Sequence, residues 1–530
     1  MHRIIAFVVG VLLVSAASPA QPLEAAKVAI QDAEIERNQL IAELEQAQAR
    51  IEELLRQPTP VIFDPTKIYQ VWDDTKHQVH TGPLLIQVMT GPGQFQDVVW
   101  LNPKAEGPGG SDPVPNPPPS PGEVSLPAWL DTAEATEANP AVDLKPQIEA
   151  LRSGQKLILG EGTYQMSGSA TLKHSKVAIL GAGGSKVKVE CLGGFVHTGI
   201  GSRVNDVVLV GFTARAVNRD FNDPRFDLKV ALEAAKGLSF YGYGERYRIH
   251  DVHIAKFRDG MVFDPQAKTQ KVGKETRVAE LRWIKDIHIT SSSSKYNYFR
   301  TASYGGQGLY AAFYENLIVE DSEFSYNGHP FVPGVKELRS DPIYVHGFYL
   351  KGWLDITWVD GRKEKVQGCR GVLAVNCKFI DNAADNVQMR GGGGEVTYQG
   401  KRVVGGLVDC YFEGAGHGAW FGDLPTRVVR CVFKANAWGL QVGADGQGAN
   451  PDVLIEDVVI YAAEDDPNRS RGIQGLFLRG SSKHKVRVVN TVVEAGSGGL
   501  DLNGNKLVEN RGNNFEASSA QVAEALKRVR

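Results

Sequence analysis

Eight times between residues 260 and 503 the chain passes through one short phrase, and the register of that phrase limits what the chain can fold into. A glycine (once an asparagine) is followed by apolar-x-apolar at Gly260, Gly308, Gly347, Asn386, Gly418, Gly439, Gly475 and Gly499. The first residue after each is Met261, Leu309, Phe348, Val387, Ala419, Leu440, Leu476 and Leu500. The third is Phe263, Ala311, Leu350, Met389, Phe421, Val442, Leu478 and Leu502. Both columns are apolar throughout, so both face a core at the two-residue period of a strand. A second recurring phrase, x-C/V/I-x-F/I, appears as DVHI, DIHI, DSEF, NCKF, DCYF, RCVF, DVVI and NTVV. One such unit cannot bury its own apolar face, so successive units must stack into a solenoid. The turns are supplied by glycine, 58 of 530 residues, against an ordinary usage of about 7%.

The rest of the chain divides by composition. Residues 1–20 have a partly basic start, an apolar run from Ile4 to Val14 and small residues at Ser18-Pro19-Ala20, the pattern of an export signal. An uncleaved membrane anchor is the alternative, although the run is short for a bilayer. Within 21–57, residues 25–55 repeat in heptads, with Ile30, Arg37, Leu44 and Ile51 in one column and Ala33, Leu40, Ala47 and Leu54 in the other. This predicts a short coiled coil, and through it a homotrimer; a single amphipathic helix is the alternative. Residues 58–102 hold the strand-like runs LLIQVMT and DVVWL, a small β module, and 103–127 form a Pro/Gly-rich linker. In LKPQIEALRSGQKLILGEG a short amphipathic helix precedes the first strand, placed to cap the open end of the solenoid body at 128–515. A second helix, within 516–530, is placed to cap the other end.

Five cysteines, Cys191, Cys369, Cys377, Cys410 and Cys431, include no C-x-x-C pair. Cys377, Cys410 and Cys431 recur at one repeat position, as stacked apolar thiols would. The net charge of −3 gives no basic field for nucleic acid.

The two phrases and their spacing resemble the right-handed parallel β-helix proteins of the pectate-lyase-like (pectin-lyase fold) superfamily. The resemblance covers about three quarters of the chain. It implies an all-β fold with rungs about 4.8 Å apart, and it is not specific to one activity.

In that register the second and fourth residues after each glycine point outward. Tyr310, Tyr349, Gln388, Trp420 and Gln441 form one ladder on successive rungs, with Lys351 beside Arg390 in the other. Flat rings stack on pyranose faces, and Lys and Arg pair with carboxylates or sulfates. These residues are therefore candidate sugar contacts; the alternative is a ladder that only stabilises the sheet face. One step before the glycines stand His346, Asp385 and His417, again on successive rungs. A carboxylate can hold an imidazole in one tautomer and tune it for base catalysis. His346, Lys351, Asp385, Arg390 and His417 are thus the candidate catalytic set, and replacing His346 or Arg390 is expected to abolish turnover. The alternative is that the histidines and Asp385 are turn residues capping backbone groups. Two insertions, LDITWVDGRKEKVQG and GGGGEVTYQGKRVVGG, are predicted hairpins with tips at Asp360-Gly361 and Gln399-Gly400, positioned to wall one side of a groove.

The export pattern implies a secreted, periplasmic or cell-surface protein, and the resemblance implies one acting on an acidic polysaccharide, most simply by β-elimination. A trimeric glycan-binding adhesin or phage-tailspike-like fibre, and a glycoside hydrolase, are the competing readings. Polygalacturonase-like members carry Asn-Thr-Asp, Asp-Asp, Gly-His-Gly and Arg-Ile-Lys motifs. Here Gly416-His417-Gly418 stands one rung after Asp385-Asn386, but the first and last motifs are missing, which argues against that hydrolysis. The Asp-Pro-His motif of alginate epimerases is missing as well. No cofactor is required by the sequence. Ca2+ is a candidate only if Asp381, Asp385 and Asp423 converge.

Overall fold

The computed structural model describes residues 126–530 apart from 221–222, 228, 230–234, 299–304, 329–344, 423, 444–451, 463–473, 479–484, 495–498, 503–506 and 530, together with the backbone of four strands between residues 71 and 101. The expected signal segment, coiled coil and linker lie outside the described residues. The four strands form two antiparallel pairs, Val71–Asp73 with Gln78–His80 and Leu84–Gly91 with Gln94–Leu101, inside the segment expected to be a β module. By contacts the chain divides into two units, 1–117 and 118–530, with the division falling in the Pro/Gly-rich stretch.

The second unit is a parallel β-helix. Each rung contributes one strand to a sheet of 11 parallel strands and two strands to a second, larger sheet wound around the same core. One rung runs through His346–Leu350, Cys369–Val375 and Lys378–Ile380, and the next through Asp385–Met389, Gly406–Val408 and Tyr411–Glu413. The register read from the sequence is the register of the sheet: Met261 pairs with Leu309, Leu309 with Phe348, Phe348 with Val387, Val387 with Ala419, Ala419 with Leu440, Leu440 with Leu476 and Leu476 with Leu500. The inward side chains of these strands join one continuous core. Phe379, Phe412 and Phe433 stack along it with centroids 5.0 and 4.5 Å apart. All five cysteines are buried and free, as apolar core groups.

The second phrase has a conformational reason. The residues that open seven of its eight occurrences, Asp251, Asp321, Asn376, Asp409, Arg430, Asp457 and Asn490, all have φ between +49° and +56°; DIHI falls at another corner, where Asp286 is in line with Arg246 and Asn316, and Ser291 takes the place in line with Asp251 and Asp321. That left-handed bend turns the chain at a corner of the rung. Asp and Asn tolerate it best among residues with a Cβ, which is why they dominate the position. Arg430 is the exception; its guanidinium bonds both carboxylate oxygens of Asp409 on the preceding rung, at 2.6 and 2.7 Å.

The ends differ from one another. Leu144–Glu149 is a short helix with Asp143 as its N-cap; Leu144 and Ile148 enter the main core, closing its first rungs. The C-terminal helix Ser519–Val529 instead lies along the side of the last rungs, its Val522 and Ala525 covering the outward Val459 and Val492. Both insertions are hairpins with the expected tips. Trp353–Thr357 pairs with Lys363–Gln367, and Glu395–Tyr398 with Lys401–Val404. Gln399 and Gly400 both have positive φ, the two-residue turn that matches strand twist. Only the first hairpin stands beside the site sheet, packing Ile356 and Leu354 with Tyr310, Ala312 and Phe313. The second does not wall the groove as expected. It folds onto the outer face of the larger sheet, because Val396, Tyr398 and Val403 cover the apolar Ile318, Leu373 and Val408 there.

Candidate functional site

The strands His346–Leu350, Asp385–Met389, His417–Phe421 and Trp438–Val442 lie side by side, with His346, Asp385, His417 and Trp438 in register. Strict alternation would turn this column inward. It does not, because the strand bends at the glycine column. A Cβ on Gly260, Gly308 or Gly347 would stand 2.8 Å from the buried carboxamide of Asn297, Asn327 or Asn382. The glycine position therefore faces inward along with the residue after it, and the residue before it stays on the outer face.

Those asparagines form a ladder inside the turn: Asn297 donates to Asn327 at 2.9 Å, and Asn327 to Asn382 at 2.9 Å. On the next rung the ladder position is Ala415, which carries no amide. The missing rung is supplied by Asn386, the one non-glycine of the glycine column. Asn382 donates to its Oδ1 at 2.8 Å, and its own amide donates to Asn436 at 3.0 Å. Asn386 is fully buried and directly follows Asp385, so the ladder fixes the backbone that carries the carboxylate. Sequence reasoning treated Asn386 only as a register mark. The signal was present in the paired departures, Asn for Gly at 386 and Ala for Asn at 415.

Asp385 is the centre of the site. It accepts from His417 Nδ1 at 2.5 Å and from Gln388 Nε2 at 3.4 Å. His346 Nδ1 lies 3.2 Å from its other oxygen, but out of line for a hydrogen bond; the contact is one of charge and proximity. Burial by itself would raise the Asp385 carboxyl, but the two histidines outweigh it and hold the carboxyl well below the usual range. Turn capping is the behaviour of the earlier members of the column: Asp259 accepts from the backbone of Gly306 and Gln307, and Gln307 from the backbone of His346. From His346 onward the column turns to itself: both histidines meet Asp385.

The two histidines are not equivalent. The His346 side chain is 3% exposed and that of His417 25%. His417 lies between Trp438, stacked at 5.5 Å, and Trp420 at 6.2 Å. With Nδ1 committed to the carboxylate, its Nε2 is the nitrogen left for other chemistry. Arg390 bonds Gln388 Oε1 at 3.3 Å, and its guanidinium lies 5.8 Å from the Tyr349 ring centre and 5.5 Å from that of Trp420. Trp420 is itself fixed by a bond to the Gly443 carbonyl at 2.9 Å.

Eight of the expected residues therefore converge: His346, Tyr349, Asp385, Gln388, Arg390, His417, Trp420 and, one rung on, Gln441, which pairs in register with Trp420. Gln388 and Gln441 are buried, at 4% and 2% exposure, so they support the face from below its surface. Lys351 and Tyr310 belong to a neighbouring cleft of about 260 Å³, shared with Tyr349 and Asp264. Among the described residues no three His, Cys, Asp or Glu side chains converge so as to hold a metal ion. Asp423, needed for the calcium expectation, lies outside the described residues.

No protein-family model and no curated protein matches the chain. Solved structures similar to it include the A-module of the Azotobacter vinelandii mannuronan C-5 epimerase AlgE4, at 13% identity and TM-score 0.35, over 74% of this chain and 98% of that one. Pectate lyase Pel9A matches at 12% identity and TM-score 0.39, over 73% and 80%. The catalytic domain of a GH87 α-1,3-glucanase matches at 10% identity and TM-score 0.30, over 81% and 70%. At these scores the likenesses carry nothing further; the fold rests on the chain's own strand pairings.

Proposed function

We propose that this β-helix is a secreted enzyme that cleaves an acidic polysaccharide by β-elimination. One observation carries the reading: a partly exposed imidazole held by a buried carboxylate stands within a rung of a guanidinium flanked by two aromatic rings. Trp420 and Tyr349 offer faces for sugar rings, and Arg390 between them suits a uronate carboxylate.

In this reading His417 Nε2 removes the proton from the carbon next to the uronate carboxylate. Arg390 neutralises the charge that develops on that carboxylate. The electron pair left behind forms a carbon–carbon double bond as the glycosidic oxygen departs and takes up a proton. Asp385 keeps His417 oriented and stabilises the imidazolium that forms. His346 is too deeply buried to touch substrate, so its part is to balance the charge of Asp385. Export through residues 1–20 would bring the enzyme to extracellular polymer.

The test is ultraviolet absorbance of unsaturated products on a panel of polyuronates and neutral glycans. Absorbance appearing with a polyuronate, and lost in His417→Ala, supports the reading. A wild-type protein that generates no unsaturated product, or reducing ends without absorbance, overturns β-elimination.

A further inference from the structure

Lys351 departs from the expected catalytic set, and where it goes has a consequence. The residues four past the glycine column, Asp264, Ala312 and Lys351, occupy one column on three successive rungs, each donating its backbone N–H to the rung before. Ala312 in the middle is packed with Phe313 and with Ile356 of the first hairpin. The two charged side chains line one hollow together with Val262. Tyr310 and Tyr349, with ring centres 5.6 Å apart, line it from the adjoining column, and the first hairpin packs against Tyr310 from the side.

The charges in the hollow are unevenly committed. Asp259 is occupied: its oxygens take two backbone N–H groups and lie 3.9 Å from Lys236 and 3.4 Å from Arg258. Asp264 accepts from the Gln266 side chain at 3.1 Å. Lys351 is half-buried, and among the described residues no carboxylate lies within 4.0 Å of it. Three cations against two carboxylates line the cleft, with one cation aimed at whatever occupies it. Burial lifts the Asp264 carboxyl above the usual carboxylate range, with Lys236 and Lys351 pulling the other way.

We propose that this cleft is a second sugar-binding subsite, which takes one uronate residue of the same polymer, with its carboxylate on Lys351, its ring against Tyr310 and Tyr349, and a hydroxyl on Asp264. The proposal rests on the polyuronate reading of the Asp385 site and extends it along the helix axis. The Ala312 rung is two steps from the Asp385 rung, about 10 Å, so a chain of sugars lying on this face would occupy both places at once. Lys351 is then a specificity residue on the rung next to Asp385, and Asp264 stands three rungs from Asp385, about 14 Å along the axis. A disaccharide bound at Asp385 would not reach Asp264.

The experiment is calorimetric titration of the full chain with uronate oligomers from dimer to hexamer and with neutral gluco-oligomers of the same lengths. His417→Ala serves as the background, so that the oligomers stay intact. Added to it, Lys351→Ala and Asp264→Asn should each weaken hexamer binding about tenfold or more, with dimer binding unchanged in Asp264→Asn, and neutral oligomers should bind poorly throughout. Circular dichroism and melting temperature of each variant report whether the fold is kept. Hexamer affinity unchanged in both variants, yet lost in Trp420→Ala, overturns the subsite and leaves the polyuronate reading standing. Equal loss for dimer and hexamer in Asp264→Asn also overturns it, because the cleft would then belong to the Asp385 site. Neutral oligomers bound as tightly as uronates overturn the uronate assignment. A protein that binds no acidic oligomer at all overturns both readings.

Discussion

His417 Nδ1 donates to Asp385 Oδ1 across one rung at 2.5 Å, so the most exposed base of the site is oriented by its most buried carboxylate. Asp385→Asn keeps the shape, removes the charge and permits the wrong tautomer. We expect turnover to fall by about 10³-fold, between the usual contribution of a general base and the loss seen when a triad aspartate is replaced. Steady-state rates on the polyuronate that wild type cleaves would check this; a loss under threefold would remove Asp385 from the mechanism.

The two histidines should separate. His417→Ala is expected to remove turnover, whereas His346→Ala should lower it less, because a side chain only 3% exposed does not meet substrate. The comparison is one of rates at saturating substrate, and the reverse order would mean that the groove opens to His346.

Asp385 also sets a pH dependence of stability. Its folded pKa lies below its unfolded value, because His346 and His417 outweigh the cost of burial. The stabilisation is therefore complete well above the unfolded value of about 3.9 and is lost as pH falls from there through the folded pKa. Asp385→Asn should lower the urea midpoint at pH 7, and the gap to wild type should narrow at pH 3. A gap that widens on acidification would contradict the depressed pKa.

The asparagine exchange can be tested by swapping it. Asn386→Gly takes one of two partners from the Asn382 amide, which keeps the Phe324 carbonyl, and one of two from the Asn436 oxygen, which keeps the Ala415 N–H, at about 1 kcal/mol for each bond lost. Ala415→Asn alone should also destabilise, because two carboxamides would compete for one space. Together they recreate the Gly–Asn pairing of neighbouring rungs, so the double variant should recover most of the loss. Chemical denaturation of the four proteins gives the coupling directly, and simple additivity would show that Asn386 does not occupy the Ala415 vacancy.

Arg390→Lys keeps the charge but loses the planar group between Tyr349 and Trp420. Weaker binding of acidic oligomers by about tenfold is expected, measured by titration; undiminished affinity would mean that the stacking geometry is irrelevant to the ligand.

Much of this was legible in the chain. The paired apolar columns gave the rung-to-rung partners of eight of the eleven strands of the site sheet, and the tips Asp360-Gly361 and Gln399-Gly400 gave both hairpins. Less was legible where a choice depended on the neighbouring surface. The second hairpin went to the larger sheet because apolar residues there needed cover, a fact that no local pattern carries. Lys351 and Arg390 are adjacent in one column, yet one side chain crosses to two aromatic rings and the other lines a cleft. Arg390 is held by Gln388 beside it, whereas Lys351 lines the hollow with Tyr310 and Asp264.

The sequence by itself determined the register, because the core face of a strand repeats every second residue and a slip of one would expose it. That register put His346, Asp385 and His417 in one line. Only the tertiary structure decided which of the three meets solvent, because exposure depends on how far the bend at the glycine column turns each strand and on which neighbouring rings cover it. It also divided the face in two, a carboxylate-held imidazole at Asp385 and a charged hollow at Lys351, because side-chain direction follows the space left by residues on other rungs.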